Sequence, residues 1–408
     1  MPRVLLLATL VSLLMNPPSL LHPQTVISTG ADVLIKKKLE LVHGRRVGLV
    51  TNHTGRLSSG EFLIDALRAK GVHVTALFGP EHGIRGAAGA GDTIGDTVDA
   101  GTGIPVFSLY GTQTSPTETM LKDVDVLVYD IQDVGARFYT YISTMKLCME
   151  AAAGKGIPYV VLDRPNPLGA RVDGPLLEDS LRSFVGPVRL PVVYGLTVGE
   201  LATMINTTGL LKGGAHANLN VLWMEGWFRD MRWNDTGLPW IAPSPNIPSP
   251  GTADIYPATC FLEATNVSEG RGTPEPFRQF GAPFLNGDTL AARLNARVLP
   301  GVRFSPASFT PISSKHEGEM CYGAQATITD LASFRPVVTG LTILRVLLDT
   351  APGRVTLNPS SLGRLLGIQR AYDVLIAGGD PGSLEKTWKR ELEGYVAVIK
   401  PYLHYPDR

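Results

Sequence analysis

The chain has 408 residues, of which 44% are apolar and 18% are charged, as in a globular protein of two domains or one large one. Lysine plus arginine equals aspartate plus glutamate at 37 each, so no excess charge favours nucleic acid or an anionic membrane surface as a partner. A neutral chain suits an uncharged or weakly charged substrate.

The N-terminus begins with a short apolar run that follows Arg3 and ends before Asn16 and two prolines. The run is too short to span a bilayer comfortably, and it is typical of a secretory signal peptide, which we place at residues 1–25. An uncleaved membrane anchor is the alternative interpretation. We therefore expect an exported protein, periplasmic or extracellular, without an integral membrane domain.

Between residues 46 and 167, short apolar runs alternate with helix-like segments. This pattern predicts an α/β fold with a mostly parallel sheet covered on both faces. The runs are Val47–Asn52, Val74–Gly79, Val106–Tyr110, Val124–Asp130 and Tyr159–Asp163. Helical faces between them consist of Leu63, Ala66 and Leu67, and of Met145, Cys148, Met149 and Ala152.

Polar and glycine residues follow every one of these predicted strands. Because the carboxyl ends of parallel strands meet at one edge, the five tips predict a single crevice. Turn formation explains asparagine, aspartate and glycine at one or two tips, but not Glu-His, Gln-Asp and Asp-Arg at three. We therefore predict a functional site at this edge. The tips are Asn52–Gly55, Gly79–Gly83, Tyr110–Thr112, Asp130–Asp133 and Asp163–Pro167.

Neither a nucleotide nor a metal is indicated by the motifs. No Gly-x-Gly-x-x-Gly opens the first helix, and the glycine-rich run Gly83–Gly91 is longer than a phosphate-binding fingerprint. The three cysteines lack metal-ligand spacing; Cys148 belongs to a core pattern, and a Cys260–Cys321 disulfide is compatible with export. We expect no cofactor.

The middle of the chain carries helix and loop signals. Thr197 and Glu200 predict a capping box at a helix start. Pro243–Pro248 can be neither helix nor central strand, so it is an extended loop across the site or a hinge. Trp240 and Asn246 beside it are candidates for stacking on and hydrogen-bonding a sugar.

A dense polar run at Glu263–Thr273 is the second strong motif. Glu269 and Arg271 flank a glycine, so the backbone can turn sharply and direct both side chains to one place. A plain surface loop is the alternative. Beyond it, helices are predicted at Leu290–Leu299 and Leu341–Leu348.

Together these motifs resemble a bacterial family first described as a domain of unknown function, the exo-β-N-acetylmuramidases of the NamZ type. The resemblance runs from about residue 28 to the C-terminus, and several of its motifs are long and in the same order. The matching motifs are Thr51–Gly55, Phe78–Gly86, Asp130–Tyr141, Leu162–Pro167, Pro243–Asn246 and Thr265–Thr273.

The resemblance implies a Rossmann-like catalytic domain at residues 28–245 and a smaller α+β C-terminal domain at 246–408 that completes a cleft. It implies release of N-acetylmuramic acid from the non-reducing end of peptidoglycan fragments. The glutamate of the family's Gly-Pro-Glu-His-Gly motif, regarded as catalytic, is Glu81 here. Two departures are Val193-Tyr194, where Arg-His is expected, and Ala258, where a glycine is expected.

Glycoside cleavage needs a proton donor for the leaving oxygen and stabilisation of an oxocarbenium-like centre. Glu81 suits the general acid. For the second group we rank Glu269 and Asp130 equally, with Asp133 as a further candidate. The sequence gives no distance between these carboxylates, so retention and inversion both remain open.

Muramic acid carries a lactyl carboxylate, whose recognition calls for a cation and preferably a forked guanidinium. Arg85, Arg137, Arg164 and Arg271 lie beside the motifs. Tyr139 and Tyr141 would face one way, and could pack on the sugar, if their segment is extended; they would diverge if it is helical. The other substrate-binding candidates are Asn52, His53, His82, Gln132, Asp133, Asn166 and Asn246.

Two other functions remain open at this point. One is a non-catalytic periplasmic protein that binds muropeptides or other glycans on the same scaffold. The other is a hydrolase or transferase that acts on another amino sugar or an ester, and the absent Arg-His before Gly195 is its main motive.

Overall fold

The computed structural model describes residues 26–81, 84 and 97–408. Residues 1–25, the predicted signal peptide, lie outside this range. The described strands are β1 (Arg46–Thr51), β2 (His73–Gly79), β3 (Thr97–Val98), β4 (Pro105–Ser108), β5 (Val126–Asp130), β6 (Tyr159–Leu162), β7 (Val172–Asp173), β8 (Val193–Tyr194), β9 (Leu219–Leu222), β10 (Gln279–Ala282), β11 (Val302–Phe309) and β12 (Cys321–Ile328).

The large sheet has the order β3-β4-β2-β1-β5-β6-β9 and is parallel except for the β3–β4 pair. The mostly parallel α/β sheet predicted from the sequence is thereby confirmed, and its five predicted strands correspond to β1, β2, β4, β5 and β6. The edge strand β9 was missed, because it has only four residues and three of them are half-exposed.

Helices α1 and α2 cover one face of this sheet, and α3 and α4 cover the other. The described helices are α1 (Gly30–Lys37), α2 (Leu63–Ala69), α3 (Tyr141–Lys155), α4 (Val198–Thr207), α5 (Pro250–Thr259), α6 (Gly287–Asn295), α7 (Pro336–Thr350), α8 (Pro359–Leu366), α9 (Ala371–Ile376) and α10 (Pro381–Ile399). Strand residues alternate between two cores: Val128 packs in the one with α1 and α2, and Tyr129 in the one with α3 and α4. The capping box of Thr197 and Glu200 starts α4.

The C-terminal part contains an antiparallel sheet of order β10-β12-β11, packed against α6. Its core is continuous with the α3 side of the large sheet, since Phe280 and Trp388 belong to the same cluster as Tyr129. A two-stranded ribbon of β7 and β8 lies between β6 and β9 in sequence. This is the α+β second unit that was expected beside the parallel sheet.

The three cysteines are buried and free, so the Cys260–Cys321 disulfide is not formed. A thiol buried in apolar surroundings acts as a small hydrophobic side chain, which is the role that was predicted for Cys148. Among the described helices, none combines the length and the hydropathy needed to cross a bilayer.

Candidate active site

The strand order creates a topological switch point between β1 and β5. The chain moves from β1 to β2 on one side, and β5 then pairs with the other side of β1. Open α/β sheets bind ligands in the crevice at such a point. Thr51 and Asp130 are register partners at this edge, and Asn52 follows directly. The edge predicted to hold the site is therefore the edge where the switch point forms a crevice.

Thr54 ties the tips of β1 and β5 together. Its backbone nitrogen and its hydroxyl both donate to Asn52 Oδ1, at 2.9 and 2.6 Å. Its hydroxyl oxygen accepts a hydrogen bond from the Gln132 backbone nitrogen at 3.0 Å. Gln132 Nε2 then donates to the carbonyl oxygens of Asp133 and Pro165, each at 2.7 Å. These bonds fix the floor of the crevice.

Glu81 lies just beyond the end of β2 and is half-buried. The Thr140 hydroxyl donates to its Oε2 at 3.5 Å, and the Tyr110 hydroxyl, beyond the end of β4, also donates to Glu81. Burial and then the charge of Glu81 raise the pKa of Tyr110 to about 12, so the phenol remains a donor at neutral pH. Two hydroxyl groups therefore orient this carboxylate.

Three tyrosines form an aromatic wall beside Glu81. The ring centroid of Tyr139 is 4.8 Å from that of Tyr141 and 6.0 Å from that of Tyr256, with both contacts edge-to-face. Tyr141 begins α3 and Tyr139 precedes it in a turn, so the segment is neither fully extended nor fully helical, yet both rings reach the same cluster. Burial, with a smaller contribution from Glu81, raises the pKa of Tyr141.

The proline-rich loop crosses this wall. Tyr141 donates its hydroxyl hydrogen to the carbonyl oxygen of Pro243 at 2.6 Å, and His53 Nε2 lies 2.7 Å from that of Ala242. Asn246 is half-buried in the loop, and its backbone nitrogen donates to Ser244 Oγ at 3.2 Å. The loop therefore closes over the crevice instead of leading away from it.

Trp240 is half-buried beside the proline-rich loop. Its Nε1 donates to the Ile247 carbonyl oxygen at 3.1 Å, and its ring packs edge-to-face on Trp233 at 4.7 Å. The side chain holds the proline-rich loop in place, and the sugar-stacking role expected for it stays a prediction.

The polar run of the second half forms a charge cluster. Arg271 Nε is 3.1 Å from Glu269 Oε1, and Arg271 Nη2 is 2.7 Å from Glu263 Oε1. Lys315 Nζ, from the loop between β11 and β12, is 2.9 Å from Glu269 Oε2. Burial raises the pKa of Glu263 despite the charge of Arg271. Although burial opposes it, the two carboxylates together raise the pKa of Arg271.

Aromatic side chains and charges connect this cluster to Glu81. The charges of Arg271 and Glu263 act on the same Tyr110 hydroxyl that donates to Glu81. Tyr256, in the aromatic wall, contacts the Phe277 ring at 4.8 Å, and the Arg271 guanidinium lies 5.0 Å from that ring. The motif that contains Glu81 and the polar run Glu263–Thr273 thus contribute to one site.

Asp130 does not reach this site as a free carboxylate. It is fully buried, and its two oxygens accept from Arg164 Nε at 2.6 Å and Arg164 Nη2 at 2.9 Å. Burial raises the pKa of Asp130 and the paired guanidinium opposes that shift. Arg164 Nη2 also donates to the Arg56 carbonyl oxygen at 2.9 Å. Asp130 was expected to be catalytic and Arg164 to bind the substrate. In the structure, the two side chains instead pair with each other and hold two strand tips together.

Arg137 is also a structural residue rather than a ligand for a carboxylate. It is completely buried, and it donates to the carbonyl oxygens of Leu190 at 2.7 Å and Leu365 at 2.8 Å. Burial lowers the pKa of Arg137 to about 9. Asn166 is similarly engaged, because its Nδ2 donates to the Leu196 carbonyl oxygen at 3.0 Å. Neither side chain presents a polar group to the crevice.

Asp133 lies below the aromatic wall and is buried. Its Oδ2 accepts from the Tyr194 hydroxyl and from the Gly135 backbone nitrogen, the latter at 2.7 Å. Burial raises the pKa of Asp133 to about 6. Tyr194 stands where a histidine was expected, so the departure noted in the sequence replaces an imidazole with a phenol that binds Asp133.

The remaining predictions divide into two groups. Asn52, His53 and Gln132 lie at the crevice floor, whereas His82 and Arg85 fall outside the described residues. Sequence reasoning did not single out Tyr110, Glu263, Tyr256 and Lys315 as site residues, although Tyr110 lies in a predicted tip and Glu263 in the predicted polar run. Tyr110 ended a predicted strand and could have been included on that signal, but Lys315 reaches Glu269 from 46 positions away and left no local signal.

Within the described ranges, no group of three or more histidine, cysteine, aspartate or glutamate side chains could hold a metal ion. The described residues bring oriented carboxylates, hydroxyls and the partly exposed guanidinium of Arg271 to the crevice. Such a set can transfer a proton and bind an anionic group on a polar substrate.

Family models and known proteins match most of this chain. Family models described as "Exo-beta-N-acetylmuramidase NamZ", N-terminal and C-terminal, match residues 47–251 and 255–405. A "Peptidoglycan beta-N-acetylmuramidase NamZ" from Bacillus subtilis (strain 168) is 44% identical over 382 residues, which cover 93% of this chain and 91% of the relative.

Solved structures of two DUF1343 family proteins from Bacteroides fragilis NCTC 9343 have the same fold. The first aligns with a TM-score of 0.86 at 37% identity, over 93% of this chain and 99% of its own. The second aligns with a TM-score of 0.78 at 30% identity, over 94% of this chain and 100% of its own.

Proposed function

Since the chain belongs to the NamZ family of exo-β-N-acetylmuramidases, we propose that it is a glycoside hydrolase that releases N-acetylmuramic acid from the non-reducing ends of peptidoglycan fragments. Both family models match in order along one chain, and the relative from Bacillus subtilis aligns over nearly its whole length. The site geometry supports this function, because oriented carboxylates lie in a crevice at the switch point of the sheet.

Glu81 is the general acid in this proposal. The single observation that carries it is the pair of hydroxyls, Tyr110 and Thr140, that donate to its carboxylate at the tip of β2. A proton donor must reach the glycosidic oxygen in one orientation, and two hydrogen bonds restrict the carboxyl group to one. Its half-buried position leaves one side of the group accessible to a substrate.

Arg271 is the receptor for the lactyl carboxylate of muramic acid. Of the three predicted arginines that the structure describes, Arg137 and Arg164 are buried and engaged, whereas 22% of the Arg271 side chain is exposed. A guanidinium has five N–H donors, and Glu263 and Glu269 accept from only two of its nitrogens. The two carboxylates thus fix the orientation of the Arg271 guanidinium and leave some of its N–H groups available to a ligand.

Glu269 remains our candidate for the second carboxylate, since Asp130 is fully committed to Arg164. Glu269 is also buried and paired through both oxygens, but the side chains of its partners Arg271 and Lys315 are 22% and 27% exposed, against 6% for Arg164, so its ion pairs lie nearer to solvent. Export of the protein is part of the same proposal. It is supported by the apolar N-terminal run and by the location of peptidoglycan outside the cytoplasm.

The test compares Glu81→Gln with the unaltered enzyme on two muramides that differ in leaving group. A general acid protonates the leaving oxygen, so the variant should lose about 10²- to 10⁴-fold on a MurNAc-terminated disaccharide, whose leaving group is a poor one. The loss should be much smaller on a nitrophenyl N-acetylmuramide, whose leaving group needs little protonation. Equal losses on both substrates, or no loss on the disaccharide, would remove Glu81 from the acid role.

The alternatives are separated by a substrate panel. A non-catalytic glycan-binding protein would bind the disaccharide tightly and release no product. A hydrolase of another amino sugar or an ester would prefer a glucosaminide or an acyl ester over the muramide. Tyr194 in place of the expected histidine is the observation that makes this second comparison worthwhile.

A further inference from the structure

A cavity of about 450 Å³ lies at one end of the C-terminal sheet, outside the crevice described above. Tyr322 and Ser308, which are partners across β12 and β11, form one side of it. Asn286 and Asp288, at the start of α6, form the other. A side chain on Gly287 would lie only 2.7 Å from the Gly323 carbonyl oxygen, so this helix start rests directly on the sheet.

The lining of this cavity has the chemistry that binds a neutral saccharide. Tyr322 is 46% exposed, which is high for an aromatic ring in a sheet, and such a ring can cover the apolar face of a sugar. Asn286 uses its side-chain oxygen to cap α6, so its amide nitrogen is the group it can offer a ligand. Asp288 and Ser308 add acceptors for sugar hydroxyls. The volume lies within the usual range of small-ligand sites.

Backbone pairing connects the strands that line the cavity to the segment that carries Glu269. Ser268, next to Glu269, exchanges hydrogen bonds of 2.8 and 2.9 Å with Gly281, and Gly281 is the register partner of Gly323. Neighbouring strands are about 4.8 Å apart, so Ser268 and Gly323 are separated by about 10 Å. The loop that carries Lys315 to Glu269 also leads directly into β12 and Tyr322.

We propose that this cavity is a subsite for a sugar of the glycan chain on the leaving-group side of the scissile bond. The proposal rests on the exo-muramidase function, because an enzyme that takes a terminal sugar into its crevice leaves the rest of the chain outside. That remainder then runs along the second half of the protein. Tyr322 provides the contact surface, and Asn286, Asp288 and Ser308 provide the hydrogen bonds.

The test is chain-length dependence in a Tyr322→Ala variant. On a MurNAc-terminated hexasaccharide, KM should rise about three- to tenfold, the value of one aromatic contact. On a nitrophenyl N-acetylmuramide, which fills the crevice alone, kcat and KM should not change. Thr327→Ala is the matched control, since Thr327 is exposed on the same strand but faces the opposite side of the sheet.

A binding measurement separates failure of the subsite from failure of the proposed function. Calorimetric titration of the hexasaccharide into Glu81→Gln, and into the same variant with Tyr322→Ala, needs no turnover. Weaker binding in the second protein supports the subsite whether or not the chain is hydrolysed. Equal hexasaccharide binding by the two proteins would overturn the proposal, as would equal kinetic effects of Tyr322→Ala on the short and the long substrate.

Discussion

Tyr194 donates a hydrogen bond from its phenol to Asp133, and both side chains are buried beneath the aromatic wall of the site. The bond opposes the effect of burial, which nevertheless raises the pKa of Asp133 to about 6. Asp133 therefore keeps its proton at mildly acidic pH in the folded protein, whereas it loses that proton near pH 3.8 when unfolded.

This relationship predicts that stability falls as pH rises from about 4 to about 6. The folded state binds more protons than the unfolded state in this window, so raising the pH favours unfolding. A shift of about two units corresponds to about 3 kcal/mol of unfolding free energy. Asp133→Asn should remove this contribution to the decrease in unfolding free energy between the two pH values, as measured by urea unfolding at pH 4.5 and 7.5.

Tyr194→Phe removes a hydrogen bond that stabilises the ionised carboxylate, so it should raise the pKa of Asp133 further. The decrease in unfolding free energy should then continue to higher pH. Asp65→Asn is a suitable control, since Asp65 is an exposed carboxylate on α2. An Asp133→Asn protein with the pH dependence of the unaltered chain would show that another group is responsible; Asp163 is the first to examine, because burial raises its pKa to about 7.

The buried pair of Asp130 and Arg164 predicts a loss of stability rather than a loss of chemistry. Arg164→Met leaves a buried carboxylate unpaired and should lower the free energy of unfolding by about 3–5 kcal/mol. The double variant Asp130→Asn/Arg164→Met removes both charges and should be less destabilised than the sum of the two single variants. Urea denaturation of the four proteins measures this coupling.

Activity measurements on the same proteins separate the two roles of Asp130. If it only holds the strand tips, folded Asp130→Asn should retain kcat within about tenfold of the unaltered enzyme, a loss smaller than a general acid or base contributes. A kcat loss of the size expected for Glu81→Gln, in a protein of near-normal stability, would return Asp130 to the catalytic group.

The parallel sheet and its functional edge could be predicted from the sequence because both depend on local patterns. Apolar runs locate strands, and a residue that follows a strand must lie at its tip, as Glu81, Asn52 and Asp130 do. The pattern does not tell which way a tip residue points. Asp130 and Arg137 were therefore expected at the substrate, although both are buried and engaged with protein groups.

Contacts between distant parts of the chain could not be predicted in this way. Lys315 belongs to a hairpin loop that has no motif, and it contacts Glu269 only because β12 pairs with β10. Both partners of Arg271, Glu263 and Glu269, belong to the polar run itself, but the sequence does not tell how that run folds to bring the three side chains together. Such contacts determine which arginine remains available, and so they determine which one we assign to the substrate.

Arg271→Lys should reduce recognition of the muramyl carboxylate. Lysine keeps the charge but loses the forked donors, so the affinity for N-acetylmuramic acid should fall about ten- to hundredfold, while the affinity for N-acetylglucosamine should hardly change. Competition against a nitrophenyl N-acetylmuramide measures both. Arg278→Lys is the control, because Arg278 follows in the same segment but pairs with Glu275. Equal losses for the two sugars would mean that Arg271 only holds Glu263 and Glu269 in place.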